Sequence, residues 1–134
     1  MDIKIRPAAK DDVPMIISIL NDAFNSPLNL PDDNEYIEDP NILTFVGELR
    51  GDIIGTASLH IIKKINRKIG LIEDVAVYKR FKGKGIGRLF LKHLVELAKI
   101  KGAYKTILNS TIKNEIFYHK IGFKTEQIQL VKRY

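Results

Sequence analysis

Residues 72–109 read IEDVAVYKRFKGKGIGRLFLKHLVELAKIKGAYKTILN, and this stretch decides the fold class. An apolar run from Ile69 to Tyr78 predicts a strand. The glycine-rich segment from Lys82 to Arg88 then opens a helix, because apolar residues recur at helical spacing after it. Gly102 stands where that helix is expected to end, and Lys105 to Asn109 predicts another strand. The succession of strand, glycine turn, helix and strand is typical of an α/β domain.

The rest of the chain adds strands and helices on either side of this unit. Two apolar runs joined at Arg50-Gly51-Asp52 predict a β-hairpin. Residues 25–40 contain three prolines and several acidic residues, and predict a loop with room for one helical turn. The remaining elements are expected as strands at Ile3–Arg6 and Phe123–Tyr134, hairpin strands at Ile42–Leu49 and Ile53–Ile62, a basic connection at Lys63–Lys68, and helices after Asp11-Asp12 and at Asn114–Lys120. The predicted order is β-α-β-β-β-α-β-α-β, a mixed α/β sheet in one domain spanning residues 1–134.

Length and composition exclude several classes of protein. The 134 residues correspond to one domain, and 45% hydrophobic with 28% charged residues is ordinary globular composition. The lack of cysteine excludes disulfides, a thiolate nucleophile and cysteine-bound zinc. The three histidines, His60, His93 and His119, show no spacing that suggests a metal site, so we expect no metal. No apolar run reaches the ~20 residues of a membrane span and the first residues lack a signal-peptide core, so we expect a cytoplasmic protein.

The charge is distributed unevenly along the chain. Residues 1–67 contain 7 Lys and Arg against 11 Asp and Glu, whereas residues 68–134 contain 15 against 5. One half of a single domain is therefore strongly cationic. Such an asymmetry predicts an anionic partner, either a nucleic acid or a phosphorylated small molecule, and composition does not choose between them.

The glycine-rich segment has the features of an anion site. Three glycines at alternate positions let the backbone approach a phosphate closely, and the helix start adds free N–H groups and a positive dipole end. The spacing is neither that of a Walker loop nor that of a Rossmann fingerprint. The alternative is a flexible glycine turn with solvated lysines. The residues expected to contact the anion are Lys82, Gly83, Lys84, Gly85, Ile86, Gly87 and Arg88.

This pattern, followed by Asn, Phe-Tyr and Gly-Phe, resembles the GNAT superfamily of acetyl-CoA-dependent N-acetyltransferases. Within it, the segments IEDVAV, KGKGIGRLFLKHLVELAKIKGAYKTILN and NEIFYHKIGFK are most similar to glucosamine-6-phosphate N-acetyltransferases. The similarity extends from Ile72 to Tyr134, whereas residues 1–60 match only in pattern. It implies the GNAT fold, acetyl-CoA as cosubstrate, and a homodimer with the terminal strand near the partner.

The resemblance also assigns the cofactor residues. It implies that the backbone of Val75, Ala76 and Val77 pairs with the pantetheine arm, and that an N–H near Val75 polarises the thioester carbonyl. A fixed donor to such an oxyanion is typically worth ~3–4 kcal/mol. Asn114 would cap the short helix near the cofactor. Tyr118 would donate a hydrogen bond to the departing sulfur, since a phenol is a weaker acid than a thiol.

The acceptor site is likewise implied by the resemblance. Glu73 and Asp74 would orient the amine rather than act as strong bases, with an exposed acidic pair as the alternative. Consecutive strand residues point to opposite faces, so both can reach the substrate only through a β-bulge, which the resemblance favours. The residues implied for a sugar phosphate are Tyr104 and Lys105 beside the acceptor, Arg133 on the phosphate, and Asn109, where the subfamily usually has Asp.

These residues favour an N-acetyltransferase that converts glucosamine 6-phosphate to N-acetylglucosamine 6-phosphate by direct attack in a ternary complex. Its product would enter UDP-N-acetylglucosamine biosynthesis. The alternative within the family is acetylation of another small amine or of a peptide. A nucleic-acid-binding module and a non-catalytic acetyl-CoA sensor also fit the cationic half, although the few aromatic residues there are not arranged for base stacking.

Overall fold

One five-stranded sheet, in the order β1-β2-β3-β4-β5, organises the chain. The computed structural model describes residues 2–25 and 35–134. The strands are β1 (Ile3–Pro7), β2 (Ile42–Leu49), β3 (Asp52–Lys64), β4 (Arg67–Val77) and β5 (Lys105–Ile107), and the helices are α1 (Val13–Phe24), α2 (Glu35–Glu38), α3 (Ile86–Ile100) and α4 (Glu115–Lys120). Four strands are antiparallel to their neighbours and β5 is parallel to β4, so the predicted mixed α/β sheet is confirmed.

Two tight turns fix the register of the central strands. Arg50 and Gly51 connect β2 to β3 with φ of 53° and 84°, the left-handed pair that suits the twist of a two-residue hairpin. The next hairpin pairs Lys64 with Arg67, so only two residues separate β3 from β4. The predicted basic connection at Lys63–Lys68 is therefore wrong, because cross-strand pairing continues to the tip.

Helix α3 packs on one face of the sheet through Phe90. This ring is fully buried and lies over Gly47 and Gly55, which are paired across β2 and β3. A Cβ at either glycine would stand 2.9 Å from the ring, so both positions require glycine for the helix to approach. The opposite face is covered by α1, whose Ile16 and Ile19 are buried in a second core cluster.

Helix α1 is also joined to the end of β4. The Tyr78 hydroxyl donates to Ser18 Oγ over 2.9 Å, and the Asp22 carboxylate accepts the Lys79 N–H over 2.8 Å. None of the described helices is long and apolar enough to cross a membrane.

The predicted strand at Phe123–Tyr134 is wrong: these residues form no regular secondary structure. Apart from Phe123, their apolar side chains are exposed, with Ile128 at 89% and Leu130 at 91% of full accessibility. A strand requires a neighbouring edge, and in this chain the segment pairs with none of the five strands of the sheet. The alternation of apolar residues predicted a strand without identifying its partner.

Asn114 does occupy the position before α4, but its side chain does not cap the helix, because a short 3-10 turn precedes it.

An ion-pair network joins the first strand to the start of α1. Arg6 donates to Asp12 over 2.7 and 2.9 Å and to Glu48 over 2.7 Å, and Asp12 also accepts the Ala9 N–H over 2.7 Å. The hydrogen bonds from Arg6 are the main reason that the pKa of Asp12 lies below its ordinary value, although burial opposes them. Asp12 is itself buried, so the network replaces the water that the carboxylate loses.

We predict that Asp12→Asn lowers the free energy of unfolding by ~2–3 kcal/mol at pH 7, since hydrogen bonds to charged groups are lost. A carboxylate whose folded pKa is lowered stabilises the fold above its unfolded pKa, and this stabilisation disappears as the pH falls through the folded pKa. The difference between native and variant chains in urea unfolding should thus be constant near neutrality and shrink below about pH 4. Asp11→Asn, at an exposed neighbour, is the matched control, and an equal effect there would contradict the assignment.

Candidate active site

The edge of β4 is the first element of the site. Strand β5 pairs with β4 only at Ile69, Gly70 and Leu71, and within residues 2–25 and 35–134 the rest of β4 has no neighbouring strand on that side. The Tyr78 N–H donates to Ile54 of β3 over 3.0 Å, so the N–H of Val77 is directed to the open edge, because successive amides alternate along a strand. An extended ligand can therefore pair with the backbone of Val75, Ala76 and Val77 in the way a further strand would.

The glycine loop follows within a few residues. Gly83 and Gly85 have φ of 79° and 80°, which explains why the loop needs glycine at these two positions. A Cβ at either of them, or at Gly87, would meet no atom within 4 Å, so the concave side of the loop is open. The first bond along α3 runs from the Leu89 N–H to the Gly85 carbonyl, which leaves the preceding amides free. These amides belong to Ile86, Gly87 and Arg88, and the exposed cations Lys82, Lys84 and Arg88 lie beside them.

A β-bulge in β4 places the acidic pair. Ser58 pairs with Glu73 and Thr56 with Ala76, so Asp74 and Val75 together face Ala57 alone. Asp74 has a φ of 55°, a left-handed conformation that the inserted residue imposes. The bulge that the resemblance implied is confirmed, and Glu73 and Asp74 therefore do not alternate strictly between the two faces.

Burial raises the pKa of both carboxyl groups at the bulge. For Glu73 the nearby charge of Asp74 adds to this effect, and for both residues His60 opposes it. Two like charges held together in partly desolvated surroundings share protons more readily than isolated surface carboxylates. Glu73 is half-buried and Asp74 is exposed, and the raised pKa of each makes the carboxylate a somewhat better proton acceptor than one with an ordinary pKa.

Tyr118 lies on α4 and lines a groove together with Leu71 of β4 and Ile107 of β5. Its ring is half-buried, packs against the same core cluster as Val75 and Val77, and meets the rings of Phe117 and Phe123 edge-on. The Phe123 N–H donates to the Tyr118 carbonyl over 3.1 Å and closes the end of the helix. Burial raises the pKa of the Tyr118 phenol, so the group keeps its proton at neutral pH.

The residues assigned to a sugar phosphate do not come together with the bulge. Lys105 pairs with Ile69, which lies four residues, or ~13 Å, before Glu73 along β4. Tyr104, the residue before Lys105, is exposed. Desolvation raises the pKa of the Tyr104 phenol, but the hydrogen bonds and charges of Lys105 and Arg67 together outweigh this effect and lower that pKa. Arg133 lies in the exposed C-terminal segment. Asn109 is exposed on the wall of a groove of about 830 Å³ between β5 and residues 122–129, a groove that Tyr118 also lines.

Sequence reasoning missed a group of polar residues beside the bulge. Tyr36 of α2 reaches Ser58 and Thr44, and its ring lies edge-on to His60 with centroids 5.8 Å apart. The available signal was a hydroxyl residue inside each of two apolar strands. Within the part of the chain that the structure describes, no three His, Asp or Glu side chains are grouped closely enough to hold a metal ion.

Comparison with known proteins identifies the family. The sequence model of the acetyltransferase (GNAT) family matches residues 13–123, and the chain therefore belongs to this family of acetyltransferases. The predicted fold and enzyme class are confirmed.

Within the family, the chain is similar to glucosamine 6-phosphate N-acetyltransferases. The protein of that name from Trypanosoma brucei brucei is 31% identical, with 97% of this chain and 95% of that protein aligned. The one from Arabidopsis thaliana is 39% identical over 72% of this chain and 67% of its own length. A crystal structure of glucosamine-6-phosphate N-acetyltransferase from Arabidopsis thaliana matches with a TM-score of 0.84 and 30% identity, covering 100% of this chain and 99% of that one.

The two kinds of glycine in the loop give opposite predictions for stability. Gly85→Ala forces a side chain into the left-handed region and should lower the free energy of unfolding by ~1–2 kcal/mol. Gly87→Ala, inside α3 with space for its Cβ, should leave it unchanged or raise it by up to ~1 kcal/mol. Urea unfolding of both variants measures the difference. Equal losses in the two would show that the loop conformation differs from the one described.

Proposed function

We propose that the chain is an acetyl-CoA-dependent N-acetyltransferase whose acceptor is the amine of glucosamine 6-phosphate, and that N-acetylglucosamine 6-phosphate is the product. The observation that carries this proposal is the β4 bulge, because it sets Glu73 and Asp74 directly before the open strand edge at residues 75–77, which the glycine loop follows. The names of the similar proteins support the choice of acceptor. A role in UDP-N-acetylglucosamine biosynthesis and a cytoplasmic location stay predictions.

The glycine loop and the edge of β4 fit a coenzyme A thioester. Bound there, acetyl-CoA would supply the activated acetyl group. The free amides of Ile86, Gly87 and Arg88 at the start of α3 suit a pyrophosphate, and the side chain of Arg88 adds charge. The open edge between Val75 and Val77 suits the amides of the pantetheine arm. A backbone N–H near Val75 would then lie where negative charge develops on the carbonyl oxygen.

Glu73 and Asp74 would prepare the amine. Ammonium must lose a proton before it attacks, and a carboxylate with an ordinary pKa is a weak base for that purpose. Burial raises the pKa of both groups, which narrows the difference from the pKa of the amine. Their negative charge also attracts the cationic form of the acceptor. The pair would therefore orient the amine and accept its proton, directly or through water.

Tyr118 would assist the other end of the reaction. Because burial raises its pKa, the phenol is protonated at neutral pH and donates its hydroxyl hydrogen. A hydrogen bond from this hydroxyl to the departing sulfur would stabilise the negative charge that forms there. Full proton transfer from the phenol is not required, because a thiol is a stronger acid than a phenol, so the sulfur can leave as a thiolate and take its proton from water.

A homodimer would complete the site. Ile128 and Leu130 project from the C-terminal segment into solvent, and the outer edge of β5 has no neighbouring strand. Exposed alternating apolar residues and an open strand edge in one chain suit the same features in a second copy. The separation of Lys105 from Glu73 supports this arrangement, because Arg133 of the partner could then supply the phosphate contact.

The acceptor is tested by steady-state acetylation of a panel that contains glucosamine 6-phosphate, glucosamine, a polyamine and a lysine peptide. We expect kcat/KM for glucosamine 6-phosphate to exceed that for glucosamine by about 100-fold, as two charge-assisted hydrogen bonds would provide. Several amines must be compared because of Asn109. The glucosamine-6-phosphate N-acetyltransferases that the sequence resembles usually have Asp at this position, and an amide supplies no negative charge to the acceptor.

Three variants test which residues produce the preference for glucosamine 6-phosphate over glucosamine. Arg133→Met should remove most of this preference while leaving the rate with glucosamine unchanged. Lys132→Met is the matched control at the neighbouring residue and should leave the preference in place. Tyr118→Phe should lower kcat with every amine, because the Tyr118 hydroxyl would donate to the departing sulfur, which is the same whichever amine is acetylated. Preference for the polyamine or peptide would exclude the sugar phosphate and leave the acetyltransferase class in place.

The dimer is tested by analytical ultracentrifugation of the native chain and Leu130→Asp. We expect a native dimer at micromolar concentration and a monomer in the variant, because a buried aspartate would be desolvated at the interface. Ile65→Asp is the matched control, since Ile65 is equally exposed but lies at the turn between β3 and β4. A native monomer, or a Leu130→Asp dimer, would contradict the proposal.

A further inference from the structure

Three polar residues form a row across the centre of the sheet. Thr44 of β2 pairs directly with Ser58 of β3, and Ser58 pairs directly with Glu73 of β4. Directly opposed residues project on the same face of a sheet, so the three side chains lie side by side. Glu73 is the first residue of the bulge region, and the row therefore connects the acceptor carboxylate to the interior of the sheet.

The hydroxyl group of Tyr36 lies on this row. It donates to Ser58 Oγ, which is within 3.1 Å of Thr44 Oγ1. Ser58 and Thr44 are only 2% and 8% accessible, so their hydroxyls depend on these bonds in place of water. The Tyr36 ring also meets the edge of His60, which is two residues beyond Ser58 on the same face. Through these contacts the short helix α2 is held against the sheet next to Glu73.

This arrangement is costly if its only purpose is packing. Apolar residues at positions 44 and 58 would bury the same area without needing partners, as the flanking residues Phe45, Ala57 and Leu59 do. A chain of fully bonded hydroxyls instead fixes the distance and direction of the element that it holds. The element held is α2, a helix of four residues that is too short to be stable without such contacts.

We propose that Tyr36 is a positioning residue for the acceptor amine. Its bond to Ser58 fixes α2 near the β4 bulge, so that the ring pair of Tyr36 and His60 stands beside Glu73 on the face of the sheet where the amine would bind. The proposal depends on the amine binding at these carboxylates, as proposed above, and not on the amine being a sugar phosphate.

The test is steady-state kinetics of the full chain with the best amine of the panel. Tyr36→Phe keeps the ring and removes only the hydroxyl, and we expect it to raise KM for the amine about tenfold while KM for acetyl-CoA changes less than twofold. Ser58→Ala should raise KM for the amine at least as much, and the double variant should be no worse than Ser58→Ala alone, because Ser58→Ala already breaks the bond to Tyr36. Ser58→Thr, which retains a hydroxyl, should restore most of the affinity.

Tyr78→Phe is the matched control. It removes an equivalent hydroxyl bond, to Ser18 of α1, and should leave KM for the amine unchanged. Thermal unfolding of each variant shows that the assays measure folded protein, and Ser58→Ala keeps the test valid if Tyr36→Phe does not fold. Equal increases in both KM values, additive effects, or no effect of Tyr36→Phe would overturn the role of Tyr36.

One further variant, Glu73→Gln, tests the location of the acceptor site independently of the role of Tyr36. Glu73→Gln should raise KM for the amine by removing a charge that attracts the ammonium group. If Glu73→Gln has no effect, the amine binds elsewhere, and the proposed acceptor site is wrong together with the role of Tyr36. If Glu73→Gln raises KM and Tyr36→Phe does not, the acceptor site stands and only the role of Tyr36 is wrong.

Discussion

The unequal pairing of the two edges of β4 is the constraint on which the rest of the structure depends. Strand β3 pairs with β4 along nearly its whole length, whereas β5 pairs with only three of its residues. The second half of β4 therefore has backbone groups that no strand of the sheet satisfies. The bulge lies in this half, and the glycine loop and α3 follow it, so an open edge, two carboxylates and a glycine-rich helix start occur within about fifteen residues.

The surroundings of β4 keep this half of the strand in place. Helix α3 approaches the sheet closely because Gly47 and Gly55 leave room for Phe90, and α1 is bonded to the residues just after β4. On the same face as α1, α2 is held by hydroxyl bonds rather than by apolar packing alone. A strand left unpaired on one edge is thus supported from both faces, which lets the edge stay available for a ligand.

Much of this could be predicted from the sequence where the signal is local. The left-handed glycines of the loop, the end of α3 at Gly102 and the hairpin at Arg50 and Gly51 follow from residues within one turn of each other. The bulge at Asp74 was implied by resemblance only. The association of Tyr36 with Ser58, and the distance between Lys105 and Glu73, could not be predicted, because both depend on which strands are neighbours and in which register.

The family, the order of most elements and the position of the glycine loop follow from the amino-acid sequence, because glycine placement and apolar periodicity encode backbone conformation directly. Three-dimensional pairing settles that residues 123–134 join none of the strands in the described part of the chain, that the bulge sets two adjacent carboxylates opposite one residue of β3, and that α2 is bonded near them. The physical reason is that strand pairing, burial and their effect on pKa arise between residues far apart in the chain, and no local pattern specifies them.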